Sequence, residues 1–466
     1  MSKKKKEIII EDLEIIDAGA EGVSIGRHDN AVVFVPYAVP GDIVDVKAIK
    51  KRSYYHSKII RIKKSSPQRV VPLCRHFGEC GGCSWQQMEY AMQLYYKQKQ
   101  VVDNFIRIGK FSFPKLQTIL PSENIYEYRN KIEYTFSTRR WLTDEEITTP
   151  GMFDHRSLGF HMQGMFDRVL DIEKCHLHPD IGNQIRNTIR TYAIENNLDF
   201  WDAREVKGFL RNMVIRFSSK GDLMLIMVFS SYNQEAEKLM YMIHEHFPEI
   251  TSLFYVVNDK QNDVITDLPI QLFAGKDFMI ENIDNLAFKI HPHAFYQTNS
   301  RQALNLYGIV KEFADIKHED IVYDLYTGTG TIALFVAQQA KKIVGIEYVV
   351  AAVENAKENA LINNIHNVEF IAGDMAKILT DEFVEQYGRP NIIITDPPRA
   401  GMQPQVIEEI MKILPEKIVY VSCNPATQAR DIAMMIEKYT VSKVQAVDMF
   451  PHTQHVENVV LLQRIN

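Results

Sequence analysis

From residue 290 onward the chain alternates short apolar runs with helical stretches: IVYDLYTG, TIALFVAQQA, KKIVGIEY, a helical pattern over 349–363, VEFIAGD, NIIITDPP, KIVYVSC and ENVVLLQ. Short apolar runs alternating with helical stretches are the pattern of parallel strands covered by crossover helices. The pattern predicts an α/β, doubly wound sheet over 290–466, with ligands outside the carboxyl ends of its strands.

The rest of the chain must fold separately, because 466 residues exceed one ordinary core. Residues 8–64 alternate β-type runs with Gly, Pro and Asp turns, the pattern of a small β-barrel. A cysteine-rich knuckle and a helical segment over about 85–108 follow. Residues 126–288 mix β-like runs such as KIEYTFSTRR and DLMLIMVFSS with a helix near 234–246. The expected domains are therefore 1–66, a barrel; 67–289, a mixed α+β central domain; and 290–466, with the helix near 85–110 a candidate to pack on the last.

No apolar run approaches the roughly 20 residues of a membrane span. The opening MSKKKKEIIIEDLE lacks the apolar core of a secretory signal. A cytoplasmic protein without a membrane partner is expected, and a monomer is the default. A net charge of -6 argues against a uniformly basic nucleic-acid coat but not against a local patch. Residues 47–64 form such a patch, with eight Lys or Arg, no acid, and Tyr54 and Tyr55 in the middle. Basic side chains neutralise phosphates and aromatic faces stack on bases; a solvated strand surface is the plain alternative.

Four strand ends carry the candidate chemistry. The first crossover, DLYTGTGT from Asp324, passes through Gly328 and Gly330, whose lack of side chains lets a ligand approach the backbone. Glu347 ends the next strand, where a carboxylate can accept from ribose hydroxyls. This pair alone fits either NAD or S-adenosylmethionine. Asp396 ends the fourth strand in DPPRAG, an Asp-Pro-Pro turn like that of methyltransferases acting on bases. Arg399 stands where amino-group methylating members usually carry an aromatic residue, so exocyclic nitrogen chemistry is disfavoured. Cys423 ends the fifth strand in YVSCNPA. A thiolate adding to carbon 6 of uracil turns carbon 5 into a nucleophile, and free cysteine needs only modest activation for this. Carbon 5 must then lose a proton. Glu457, in HVENVVLL, is a carboxylate at the start of an apolar strand, where partial burial would raise its pKa toward that of a usable base.

Taken together, FYQTN (295–299), DLYTGTGT, DPPRAG, SCNP and DMFPHTQHVE resemble the RNA uracil carbon-5 methyltransferase family, in particular its branch with an N-terminal TRAM domain and an iron-sulfur cluster. The resemblance covers essentially the whole chain. It implies a class I methyltransferase sheet with an OB-like TRAM barrel, and 5-methyluridine formation in RNA, foremost 23S rRNA. It implies Cys423 as nucleophile, Glu457 as proton acceptor, and Gln297, Tyr326, Glu347 and Asp396 as binders of S-adenosyl-L-methionine. Thr327 departs from the family, which usually has cysteine there, at a position without a catalytic role. A tRNA T-loop uridine, a cytosine carbon-5 enzyme and a non-catalytic RNA-binding maturation factor are the alternatives. The cytosine family's additional cysteine is missing from DPPRAG, and a factor that had lost its chemistry would lack Cys423 or Glu457.

Cys74, Cys80 and Cys83, in PLCRHFGECGGC, and the distant Cys175 suit a four-thiolate metal site. Spacing leaves zinc open, with His76, His176 and His178 as alternative ligands. The resemblance implies a 4Fe-4S cluster that staples the central domain, since this methyl transfer has no redox step.

Overall fold

The computed structural model describes residues 7–19, 21–149 and 153–465; the basic opening, 3–6, lies outside them. Strands Glu7–Ala18, Ser24–His28, Ala31–Val35, Ile43–Lys50 and Tyr54–Lys64 close a barrel. Ile10, Leu13, Ile15, Val33, Val35, Val44, Val46 and Ala48 fill it. Tyr55 belongs to that interior, at 4% exposure, so of the two tyrosines expected to meet bases only Tyr54 faces outward. The pleat imposes this, since consecutive strand residues point to opposite faces. Outside, Tyr54 clusters edge-on with Phe34 and His56. Part of the basic run is neutralised within the barrel: Lys47 by Glu7, Arg61 by Asp45, and Lys63 by Asp12 and Asp45.

The middle of the chain forms an eight-stranded sheet with Lys131–Ser137, Leu210–Phe217 and Leu223–Phe229 near its centre. Alternation along Leu223–Phe229 divides two cores. Leu225, Met227 and Phe229 pack under the helices Asp180–Glu195 and Gln234–His246. Met224, Ile226 and Val228 join the hairpin Met279–Ile283/Leu286–Ile290 and the helix Ser300–Ala314 in a core shared with the C-terminal sheet.

The C-terminal sheet has eight strands, numbered here in chain order: β1 Gln117–Leu120, β2 Ile321–Leu325, β3 Lys342–Glu347, β4 Val368–Ala372, β5 Ile392–Thr395, β6 Lys417–Ser422, β7 Tyr439–Val447 and β8 Glu457–Arg464. Their spatial order is β4-β3-β2-β5-β6-β8-β7-β1. Strands β2 to β6 are parallel, whereas β8 runs antiparallel to both β6 and β7. The sheet turns direction between β2 and β5, so a crevice opens at their carboxyl ends.

Two of these strands were not legible as apolar runs. β1 has only four residues, and β7 (YTVSKVQAV) carries an irregularity between Val441 and Lys443 that breaks its alternation. Helix α1, Tyr90–Asn104, leads into β1; Val101, with Phe105 just beyond the helix, packs in the same core as Tyr420, Ala429 and Ile432. A segment preceding the central sheet thus completes the C-terminal one. Among the described residues no helix is long and apolar enough to cross a membrane.

Candidate active site

Ser422, the last residue of β6, pairs with Asn458 across an antiparallel ladder. Continuing that register by one places Cys423 opposite Glu457, at the mouth of the crevice. Asn424 caps the helix Pro425–Ala433 through Ala426 N–H at 3.1 Å, and the proline at its start ends the strand. The same turn grips DPPRAG. Asn424 Nδ2 donates to the Arg399 carbonyl at 3.1 Å, Thr427 Oγ1 donates to it at 3.3 Å, and Arg430 donates to the Ala400 carbonyl at 3.0 Å. Asp431, fully buried, accepts from Met402 N–H at 2.8 Å and from the Tyr420 hydroxyl at 2.7 Å. Gly401 is obligatory here: its φ is +81°, and a Cβ would come within 2.6 Å of Asp431. The two strand-end loops are locked together, which sets Asp396 beside Cys423.

The electrostatics follow from burial. Glu457 is 4% exposed, more than the partial burial its sequence context suggested, and burial together with Asp396 raises its pKa to about 8. Burial and then Asp324 raise Asp396 to about 7. Asp324 itself is raised to about 7, chiefly by burial, against the lowering effect of the Thr327 hydroxyl it accepts. Thr327 therefore has a structural partner. Burial pushes the Cys423 thiol up to about 12, with Glu457 and Asp396 adding to the rise and Arg399 opposing it. A thiol raised this far carries its proton at neutral pH.

Tyr326 and Glu347 stand at the neighbouring ends of β2 and β3. Tyr326 has φ +61°, which turns the chain sharply out of β2. Glu347 accepts from Gly328 N–H at 3.1 Å and from Val349 N–H at 3.0 Å. Gly328 has nothing within 4 Å of where a Cβ would stand, whereas Gly330 is packed against Phe370 and Ala356. The first glycine leaves open room for a ligand and the second serves packing. Gln297 arrives on the segment before Ser300–Ala314, its carbonyl accepting from Asn130 Nδ2 at 2.9 Å. Asp324 lies inside the DLYTGTGT motif, whereas Asp431, inside a helix, carries no sequence signal.

Cys74, Cys80, Cys83 and Cys175 form a separate group. Burial raises all four thiols, and Cys83 is raised further by each of the other three, so the four stand close together. Gln86 bridges them, accepting from Cys74 N–H at 3.1 Å and donating to Cys83 Sγ at 3.3 Å. Among the described residues, however, no group of three or more His, Cys, Asp or Glu is arranged to hold a metal ion. His178 is occupied otherwise, hydrogen-bonded to the Tyr134 hydroxyl at 2.6 Å.

Residues 271–465 match the family model described as tRNA (Uracil-5-)-methyltransferase, and residues 2–56 match the TRAM domain. An uncharacterized RNA methyltransferase of Bacteroides thetaiotaomicron is 52% identical over 450 residues, covering 95% of this chain and 99% of that one. The chain belongs to the RNA uracil carbon-5 methyltransferase family. Another uncharacterized RNA methyltransferase, from Porphyromonas gingivalis, is 49% identical over 97% of this chain and 99% of its own. Among solved structures, the Pyrococcus abyssi tRNA (uracil-54, C5)-methyltransferase in complex with S-adenosyl-L-homocysteine superposes with a TM-score of 0.74 at 27% identity, covering 97% of this chain and 100% of that one. For this uracil carbon-5 methyltransferase, then, the class I sheet and the TRAM barrel are both established.

Proposed function

We propose that the chain transfers a methyl group from S-adenosylmethionine to carbon 5 of a uridine in RNA through a covalent bond from Cys423 to carbon 6. The observation that carries this is Cys423 facing Glu457 across the β6/β8 ladder, beside Asp396. Cys423 gives its proton to solvent and its sulfur adds to carbon 6; the displaced electron pair makes carbon 5 a nucleophile. S-adenosylmethionine, bound, supplies an electrophilic methyl on a cationic sulfur. Carbon 5 takes that methyl as its bond to sulfur breaks and S-adenosylhomocysteine leaves; Glu457 accepts the proton carbon 5 then carries, and the electron pair so released restores the ring double bond and expels the thiolate. The target base has to leave its stack for carbon 6 to be reached.

Gln297, Tyr326, Glu347 and Asp396 are the proposed cofactor contacts. The open space over Gly328 supports this, as does the charge balance. Asp324, Asp396 and Glu457 are buried carboxyls held above their ordinary range, and a cation among them would relieve both burial and mutual repulsion.

Large-subunit ribosomal RNA is the proposed target. A tRNA T-loop uridine is the second reading, favoured by the full-length likeness to the Pyrococcus abyssi tRNA enzyme, because a barrel-bearing chain of this build is not specific to ribosomal substrates. Mapping 5-methyluridine in ribosomal and transfer RNA from cells with and without the protein separates them. Loss at a 23S position is expected; loss in the T-loop selects the second reading, and no loss anywhere sinks both.

Cys74, Cys80, Cys83 and Cys175 are the proposed ligands of a 4Fe-4S cluster. An all-thiol donor set suits iron-sulfur chemistry, and Cys74, Cys80, Cys83 and Cys175, gathered near Gln86, would hold it. Anaerobically purified protein is expected to be brown and to contain about four irons per chain; colourless protein containing zinc overturns this.

A further inference from the structure

The connection between β7 and β8, residues 448–456, is a loop in geometry and a core element in burial. Met449, Pro451, His452 and Thr453 are all buried, although connections ordinarily run over the surface because their backbone groups need water. Here protein donors take water's place. The carbonyl of Met449 accepts from Asn299 Nδ2, that of Phe450 from Lys97 Nζ and that of Pro451 from the Tyr128 hydroxyl, each at 3.0 Å. The His452 carbonyl accepts from the N–H groups of Ser84 and Trp85 at 2.9 and 3.0 Å, and His452 N–H donates to Gln93 Oε1 at 2.8 Å. At the head of the loop Asp448, fully buried, pairs with the equally buried Lys97 and accepts from the Tyr90 hydroxyl at 2.8 Å. His452 has φ +67°, a left-handed conformation that a non-glycine residue keeps only where its surroundings over-determine it.

None of these donors lies on a strand carrying Cys423 or Glu457. They come from α1, from the two residues after Cys83, from the central domain and from the segment before Ser300–Ala314. The loop they hold ends at Glu457, whose partner across the hairpin is Val447, the residue before Asp448. We propose that Lys97, assisted by Gln93 and Tyr128, is a positioning residue for the last step of the reaction: by clamping residues 448–456 it holds the Glu457 carboxyl against the proton on carbon 5. The inference rests on Glu457 being the base. Removing Lys97 leaves the buried Asp448 carboxylate without its countercharge, so the head of the loop must shift or admit water. Proton abstraction needs the base within hydrogen-bond reach of the proton it takes, and a displacement near 1 Å can cost on the order of 100-fold.

The test uses full-length Lys97→Met and Tyr128→Phe, S-adenosylmethionine, and substrate RNA carrying uridine or 5-deuterated uridine. First-turnover methyl transfer is expected to stay near that of the parent, while release of methylated RNA slows by about 10-fold or more. A protein-RNA species resistant to denaturation accumulates, and the primary isotope effect on turnover rises above the parent's. Tyr128→Phe removes one hydroxyl and keeps its ring, so the question is answered even if Lys97→Met fails to fold. A purely structural role would slow both phases together and leave the isotope effect unmoved, and that result overturns the proposal. Glu457→Gln separates the premises: if it accumulates no adduct, the base assignment falls and takes this proposal with it. An adduct there alongside unmoved isotope effects in both clamp variants overturns the clamp alone.

Discussion

Cys423→Ala is expected to abolish methylation, with a loss on the order of 10^4-fold or more, while RNA and S-adenosylmethionine still bind. The thiol makes a bond no other group at the end of β6 can make, whereas the turn around it is held by Asn424, Thr427 and Gln428, which the substitution leaves in place. Single-turnover methyl transfer and equilibrium binding, measured on the same preparation, check this; appreciable turnover by the alanine variant overturns the nucleophile. The raised thiol pKa adds a second expectation. In ligand-free enzyme at neutral pH, Cys423 should alkylate slowly, and faster by about 10-fold per pH unit as thiolate forms. Site-resolved mass spectrometry distinguishes it from the four other cysteines.

Glu457→Gln is expected to form the covalent adduct and fail to resolve it, with turnover reduced by about 10^2- to 10^4-fold and a stable protein-RNA band on a denaturing gel. The same variant carries a stability signature. Burial raises the Glu457 pKa from 4.5 to about 8 in the folded chain. A carboxyl raised in this way contributes its full share of stability below about pH 4.5 and loses it as pH rises through about 8. Glutamine has no proton to lose. The variant should therefore match the parent near pH 4.5 and become more stable than it toward pH 9, by on the order of a few kcal/mol, as thermal unfolding at the two pH values would report. Equal stability at both would mean that the carboxyl is ionised without penalty, which a fully buried group beside Asp396 should not be. An active site that stores uncompensated acid when empty pays in stability for the base it needs.

How much of this could be read in advance depended on how local the signal was. β2, β3, β5 and β6 were legible because a strand buried on both faces must be apolar along its whole length, and the site residues at their ends followed from that frame. β7 was hidden because Lys443 and Gln445 interrupt its apolar positions and an irregularity shifts its register. β1 was hidden because four residues, half of them exposed, carry no periodicity. Tyr54 and Tyr55 looked equivalent until the barrel closed and sent one of them inward. Asp431 was invisible because the partners that give it a task, Met402 just after DPPRAG and Tyr420 on β6, lie on other elements.

By itself, then, the order of residues determined the type of sheet, the family motifs and the identity of the groups at the strand ends, since each of these depends on a run of neighbours along the chain. Only the tertiary structure decided that Cys423 and Glu457 face one another, that three buried carboxyls share one crevice, and that α1 and the residues after Cys83 reach across to grip residues 448–456. Charge, burial and hydrogen bonding act through space, and residues 350 positions apart become neighbours only when the core that separates them in sequence has folded.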